Sequence, residues 1–149
     1  MLIHSASQLL TLAGGPQRGH ALGTLGIIEN GAVVVRDEKI VAVGTTDQLR
    51  NAYPDEPTLD ASRCVLMPGF VDPHTHLIWA GDRANEFEMK MGGMAYLDIL
   101  AAGGGIISTV KATRTASMEM LIAQTRPRIL KMFAHGTTTA EAKTGYGLK

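Results

Sequence analysis

The chain has 149 residues, 45% of them apolar, and its 14 basic and 14 acidic side chains give a formal net charge of zero. This length fits one ordinary domain. The balanced charge provides no excess of basic residues of the kind that binds nucleic acid or anionic membranes. No apolar run approaches the roughly 18 residues that span a bilayer, and we expect no signal peptide. The single cysteine excludes an internal disulfide framework. We expect Cys64 to be a buried small hydrophobe in a cytoplasmic protein.

The first part of the chain, residues 1–66, is predicted to form short strands of a structural β layer. Two β-rich runs at 32–35 and 40–43 flank a polar tetrad, and this pattern predicts a hairpin. A further strand is expected at 9–12, where it is followed by Gly and Pro. The polar stretch at 45–60 contains two prolines and is predicted to be a connecting loop.

The second part of the chain is predicted to form a βαβ unit. Strands are expected at 70–76 and 137–143, and the residues at 117–135 carry apolar side chains with helical spacing. Ser117 is a suitable N-cap for that helix, although the helix contains an internal proline. The residues at 82–102 are predicted to be helical in part, with a break at two glycines. Such a unit implies parallel strands and a right-handed crossover.

Two histidines at the end of the first of these strands are candidate metal ligands. His74 and His76 are two residues apart, and side chains two apart on a strand project from the same face. Both imidazoles could therefore reach one metal ion at the carboxyl end of a parallel strand, where α/β barrels keep their active sites. An isolated pair of this kind is a weak signal, and partly exposed loop histidines are the alternative. The apolar strand before the pair favours the metal interpretation.

Five segments carry a wider resemblance, at 67–76, 80–87, 96–106, 108–110 and 141–147. Together they resemble the imidazolonepropionase family of the amidohydrolase superfamily, over nearly the whole chain and most strongly from residue 66 onward. The histidine pair is shared with many hydrolases. The segment around Arg83, the glycine-rich loop and the Lys-Thr-Gly-Tyr-Gly sequence distinguish this family from the others.

The resemblance implies an α/β fold, a metal-dependent (β/α)8 hydrolase barrel with a small β-sandwich built from both ends of the chain. A barrel alone takes about 250 residues. We therefore expect this chain to be an amino-terminal piece in which the barrel is incomplete. Residues 1–66 would supply strands of the β-sandwich, and residues 67–149 would supply the first βαβ portion of the barrel.

The resemblance also implies roles for individual residues. His74 and His76 match two ligands of the one Zn²⁺ or Fe³⁺ ion of a complete active site. Arg83 matches the arginine that binds the propionate carboxylate of the substrate, a role that suits a planar guanidinium, while a solvated loop charge is the alternative. Tyr146 matches a tyrosine that contacts the substrate. Tyr96 is expected to line the same pocket, with core packing as the alternative, and no residue of this chain is assigned as catalytic.

Glu141 and Lys143 end the second strand and share one face of it. In a barrel they would either form a buried ion pair that supports the structure or point at the site. Both interpretations are kept, with structural support favoured.

The activity implied is hydrolysis of 4-imidazolone-5-propanoate, opening a cyclic amide C–N bond to give N-formimino-L-glutamate in histidine degradation. The metal would lower the pKa of a bound water and polarise the ring carbonyl. The partner is a small molecule rather than nucleic acid or membrane, and a homodimer is compatible with the full-length enzyme. The alternatives are another cyclic amidohydrolase, a deaminase of the same superfamily, or a non-catalytic fragment.

We expect residues 1–149 alone to be poorly soluble and inactive. A catalytic zinc needs three protein ligands, and the histidine pair supplies two. The remaining histidines are His4, His20 and His135, which lie outside the predicted site. An assay of the purified chain with imidazolonepropanoate tests this expectation, and robust turnover would show that the fragment interpretation is wrong.

Overall fold

The computed structural model describes residues 1–148, which divide into a unit at Met1–Pro68 and a unit that begins at Gly69. The first unit holds five strands, β1 (Leu2–Leu10), β2 (Ile27–Arg36), β3 (Lys39–Thr45), β4 (Thr58–Asp60) and β5 (Val65–Leu66). They form one sheet in the order β3-β2-β1-β4, and β5 also pairs with β1. The sheet is antiparallel from β1 to β3, whereas β4 and β5 run parallel to β1. A short 3₁₀ turn lies at Gly19–Ala21.

The hairpin predicted around residues 32–43 is confirmed, with a tighter turn than the polar tetrad suggested. Arg36 pairs with Lys39, so the loop contains only Asp37 and Glu38. Both loop residues have positive φ, 50° and 62°, the conformation of a two-residue turn whose twist matches the flanking strands. The strand expected at 9–12 is part of β1, which begins at Leu2 and ends at Leu10. The prediction missed most of this strand because the polar side chains along β1 interrupt its apolar pattern.

A helix replaces part of the connecting loop that was predicted at 45–60. This helix, α1 (Thr46–Ala52), begins with a capping box in which Thr45 Oγ1 accepts a hydrogen bond from Gln48 N and Gln48 Oε1 accepts one from Thr45 N. Leu49 packs into the core of the unit against Leu2, Ala32 and Val34. Seven residues are too few for a helical period to stand out in the sequence, which is why the loop prediction was wrong here.

The prediction that Cys64 is buried is also wrong. Its side chain is exposed, and its thiol lies 3.7 Å from the carbonyl oxygen of Ser62. The preceding residue, Arg63, has a left-handed φ of 65°. This turn places the cysteine immediately before the two-residue strand β5, outside the apolar core.

The second unit contains the predicted parallel strands, β6 (Phe70–Thr75) and β7 (Thr137–Ala142), which pair directly. Four helices lie between them, α2 (Ala84–Met91), α3 (Tyr96–Ala101), α4 (Ile106–Thr115) and α5 (Met118–Ala134). The βαβ prediction and the break between α2 and α3 are thus confirmed. Within residues 1–148, no helix combines the length and the apolarity that crossing a membrane requires.

Helix α5 begins as predicted, whereas α4 was not predicted. Ser117 Oγ accepts a hydrogen bond from Met120 N at 3.2 Å, and α5 continues through Pro127. Helix α4 follows Gly105, whose φ of 71° turns the chain and whose N–H donates to Glu86 Oε1 at 2.8 Å. Its several β-branched residues are weak helix formers, so this segment carries little helical signal in the sequence.

We predict that Thr45→Ala destabilises the first unit. The substitution removes the cap of α1, and loss of an N-cap side chain costs about 1 kcal/mol. Denaturant unfolding of a folded protein that contains this unit measures the effect. Thr24→Ala, at an exposed position outside the strands and helices, is the control and should leave the unfolding free energy unchanged. Equal stability of the two variants would show that the cap does not hold α1.

Candidate functional site

The two histidines predicted to share a face lie together at the carboxyl end of β6. Their ring centroids are 5.4 Å apart, and the ring planes are nearly perpendicular, at 84°. The His74 side chain is exposed and that of His76 is half-buried. The backbone N–H of His74 donates to Asp72 Oδ1 at 3.0 Å, within a stretch where the β6–β7 register shifts. Both imidazoles thus lie next to each other where the strand pairing is irregular.

The orientation of His76 is set by the neighbouring strand. His76 Nδ1 lies 3.1 Å from the carbonyl oxygen of Lys143. A carbonyl only accepts hydrogen bonds, so Nδ1 is the donor in this contact, and Nε2 is the nitrogen through which the ring could bind a metal ion. Lys143 N in turn donates to the Thr75 carbonyl at 2.8 Å, which fixes the position of the accepting carbonyl. Such a partner on the second nitrogen is typical of metal-ligating histidines.

The loop after β7 packs directly on the His76 ring. A Cβ atom at Gly145 would lie 2.4 Å from His76 Nδ1 and 2.6 Å from Cε1, so only glycine lets the backbone approach this closely. The next residue, Tyr146, has its ring centroid 5.2 Å from that of His76, with the planes tilted by 56°. The glycine therefore brings the tyrosine against the imidazole.

A cleft of about 300 Å³ lies beside this pair of rings, lined by Trp79, Asp82, Arg83, Thr109 and Tyr146. Arg83 Nε donates to Thr109 Oγ1 at 3.0 Å. The hydroxyl group belongs to a buried threonine on α4, so it anchors the arginine from inside the unit. Among the described residues, the two terminal nitrogens of this guanidinium have no hydrogen-bond partner, so an anion could bind them. The structure thus brings Arg83 and Tyr146, predicted separately, to one cleft.

Tyr96 is not brought to this cleft. It is the first residue of α3, its side chain is 66% exposed, and it is not among the described residues that line the cleft. Its assignment to the substrate pocket stays a prediction.

Glu141 and Lys143 form an ion pair at the end of β7. Both side chains are at least partly exposed, so the pair is not buried as it would be inside a barrel. Lys143 contributes to the site through its backbone carbonyl rather than through its ammonium group.

Sequence reasoning missed Arg128 on α5. Its guanidinium lies 3.6 Å from the centroid of the Trp79 ring, and its Nη1 donates to the carbonyls of Leu77 at 3.1 Å and Trp79 at 2.8 Å. Burial lowers the pKa of this guanidinium from its ordinary value. The spacing could have indicated this role, because Arg128 follows Thr125 by three residues and so lies on the same face of the predicted helix as its apolar residues.

The described residues do not supply a complete metal centre. Across residues 1–148, no group of three or more His, Cys, Asp or Glu side chains comes close enough to hold a metal ion. His135 lies at the carboxyl end of α5, where its Nδ1 is 2.7 Å from the Lys131 carbonyl. What this chain can offer is a pair of imidazoles beside a cleft that carries one guanidinium.

Solved structures show the class of fold. The chain superposes on aminofutalosine deaminase of Helicobacter pylori with a TM-score of 0.58 and 21% identity, over 95% of this chain and 29% of the deaminase. Guanine deaminase of Escherichia coli gives a TM-score of 0.57 and 16% identity, over 95% and 30% of the two chains. The fold is mixed α/β and matches about three tenths of each deaminase chain.

Sequence comparison identifies the relatives within that class. The chain is 48% identical to imidazolonepropionase of Chloroflexus aggregans, over 100% of this chain and 35% of the relative. It is 50% identical to imidazolonepropionase of Herpetosiphon aurantiacus, over 99% and 34%. A family profile described as "Imidazolonepropionase-like composite domain, bacteria" matches residues 31–55. The chain is therefore homologous over its whole length to imidazolonepropionases, and it spans about a third of the length of the curated relatives it matches.

We predict that Gly145→Ala displaces the His76 ring. The added methyl group would overlap the imidazole, which must rotate away from Lys143 or push the loop outward. Gly147→Ala is the matched control, because a Cβ atom there meets nothing within 4 Å. Crystal structures of the two variants measure the position of the ring. An unmoved His76 in Gly145→Ala would mean that the close packing described here is not a constraint.

Proposed function

We propose that the protein to which this chain belongs hydrolyses 4-imidazolone-5-propanoate to N-formimino-L-glutamate. The observation that carries the proposal is the double contact of Tyr146. Its ring packs on His76, and its side chain lines the cleft that holds Arg83. A histidine pair for a metal and an arginine for a carboxylate are thereby parts of one site. Homology to imidazolonepropionases over the whole chain supports this substrate.

The histidine pair fits a metal ion. Two imidazoles that bind one tetrahedral ion through nitrogens at about 2.1 Å have ring centroids roughly 5 Å apart, close to the observed 5.4 Å. The contact of Nδ1 with the Lys143 carbonyl supports binding of a metal ion through Nε2. We propose His74 and His76 as ligands of one zinc or iron ion, both of which accept imidazole. When bound, such an ion would activate water as a nucleophile and polarise the ring carbonyl.

Arg83 provides recognition of the propionate tail. Because Thr109 holds Nε, the two Nη groups can donate side by side to a carboxylate, and bidentate pairing of this kind gives both affinity and orientation. The size of the cleft, about 300 Å³, is at the small end for ligand sites and suits a single-ring substrate. Tyr146 would contact the ring between the two groups. Tyr96, which lies outside this cleft, is proposed as a substrate contact on the family resemblance alone.

We also propose the barrel and sandwich assignment. The strands β6 and β7 form a two-stranded parallel sheet, and Phe70 and Val71 on β6 are 53% and 65% exposed. Parallel sheets are normally covered on both faces, so further strands and helices of a (β/α)8 barrel would bury these side chains. The first unit would supply strands of a small β-sandwich. A cytoplasmic location and a homodimer belong to the same proposal.

The direct test is an assay of a purified protein that contains this chain at the length of its relatives. We expect loss of the imidazolone chromophore with formation of N-formimino-glutamate. Release of ammonia from a purine-like substrate, or opening of a ring that lacks a propionate, would support the alternative amidohydrolase or deaminase activities instead. No activity on any cyclic amide would support the non-catalytic interpretation.

We predict that His74→Ala and His76→Ala each lower the metal bound per chain and nearly abolish kcat. Either change removes one of few neutral nitrogen donors, while the fold rests on backbone pairing and on apolar neighbours. Elemental analysis and circular dichroism of the purified variants measure metal and folding. His135→Ala, at the exposed end of α5, is the control. Full metal occupancy in a folded double variant would remove the basis of the metal assignment.

We predict that Arg83→Lys raises KM for imidazolonepropanoate. Lysine keeps the charge but loses the fork, and one charged hydrogen bond contributes about 1.5–3 kcal/mol, which is roughly 10- to 150-fold in binding. The effect falls mainly on KM if the tail is held equally in the ground and transition states. Arg18→Lys, at an exposed position in the first unit, should have no effect. Wild-type KM and kcat in Arg83→Lys would show that Arg83 does not touch the carboxylate.

A further inference from the structure

The segment that joins His76 to Arg83 is held from helix α5. Residues 77–82 have no helix or strand of their own, so their shape depends on contacts with other elements. Arg128 Nη1 donates to two of their carbonyls, those of Leu77 and Trp79. Thr125 Oγ1 also lies 3.3 Å from the Leu77 carbonyl. Helix α5 thus donates three hydrogen bonds to this segment, two to the Leu77 carbonyl and one to the Trp79 carbonyl.

The same arginine also fixes the Trp79 side chain. The guanidinium carbon lies 3.6 Å from the centroid of the indole ring, at the distance of a direct stack, where cation–π attraction is strong. Trp79 is half-buried and lines the cleft with Arg83 and Tyr146. The position of this wall of the cleft is therefore coupled to the position of Arg128.

We propose that Arg128 is a positioning residue and that Trp79, which it holds, is a specificity-determining wall of the substrate cleft. Arg128 fixes the backbone between the histidine pair and Arg83, and so fixes the spacing between the ring-opening end of the site and the carboxylate-binding end. The identity of the ligand, a small ring that carries a propionate, rests on the proposed function. The Arg128 clamp, meaning its contacts with the Leu77 and Trp79 carbonyls and the Trp79 ring, does not depend on the proposed function.

The chemistry of the clamp explains why arginine occupies this position. One planar guanidinium satisfies two carbonyls and stacks on an aromatic face at the same time, whereas an ammonium group is a compact charge that cannot stack in this way. A carbonyl left without its donor in a partly buried segment would favour rearrangement toward water. Lysine at this position should therefore keep the charge but lose the position of Trp79.

The experiment compares Arg128→Lys and Arg128→Ala with Arg126→Lys and Arg126→Ala. Arg126 is exposed on the same helix two residues earlier, so its variants control for charge and helix stability. Trp79 is the only tryptophan of this chain, and Trp79→Phe identifies its emission where a longer protein contains others. The probe is imidazole-4-propanoate, a stable ring with the same tail, whose binding is followed by quenching of Trp79 fluorescence.

We expect the Arg128 variants to shift the Trp79 emission maximum and to raise the Kd of the probe about tenfold, the equivalent of one lost charged hydrogen bond. In turnover, KM for imidazolonepropanoate should rise similarly while kcat and bound metal stay within about twofold, since no group that touches the reacting atoms has changed. The Arg126 variants should match wild type in every measurement. A purely structural role would instead lower folded protein, metal and kcat together.

Wild-type emission and wild-type Kd in Arg128→Lys would overturn the proposal, as would a wild-type protein whose Trp79 emission does not respond to the probe. If Arg128→Ala does not fold, Arg128→Lys and Trp79→Phe decide the question. Trp79→Phe should also raise the Kd of the probe, measured for this variant by isothermal titration calorimetry because it lacks the Trp79 emission. Failure of the proposed function has a different signature. In that case the probe binds with the expected dependence on Arg128, but wild type does not hydrolyse imidazolonepropanoate.

Discussion

The hydrogen bond from His76 Nδ1 to the Lys143 carbonyl is the interaction on which the candidate site depends. It exists only because β6 and β7 run parallel and end together, so that the backbone of one strand meets the imidazole of the other. It determines which nitrogen of His76 faces outward, and it brings the Gly145–Tyr146 backbone against the ring. One backbone carbonyl thereby links the strand pairing, the orientation of the His76 ring and the Tyr146 wall of the cleft.

The two ends of the proposed site are held by different means. At the end with the histidine pair, the constraints are the pairing of β6 with β7 and Gly145, where any side chain would collide with the His76 ring. At the carboxylate end, buried Thr109 anchors Arg83, and Arg128 holds the connecting segment through Leu77 and Trp79. Because a substrate with a ring and a tail must contact both ends, the distance between them is part of the specificity. Helix α5, which contributes no predicted site residue, sets that distance in our account.

The sequence predicted well where the signal was local and periodic. Ser117 as a cap, the strands β6 and β7, and the hairpin between β2 and β3 all follow from patterns within a few residues. The histidine pair was predicted to share a face for the same reason. The sequence failed where the local signal is weak or the contact is distant. Helix α1 is too short to show a period, and Cys64 follows a left-handed turn that the sequence does not signal. The contact of Arg128 with Trp79 joins residues 49 apart. Recognition of Arg83 and Tyr146 came from family resemblance, since neither residue belongs to a motif with its own chemistry.

We propose that His74 and His76 bind one metal ion beside the Arg83 cleft. The most direct measurement is a crystal structure of the active protein with anomalous diffraction at the zinc and iron edges. We expect a single peak about 2.1 Å from Nε2 of both histidines, with His76 Nδ1 still donating to the Lys143 carbonyl. A peak away from these two rings, or one bound through His76 Nδ1, would contradict it.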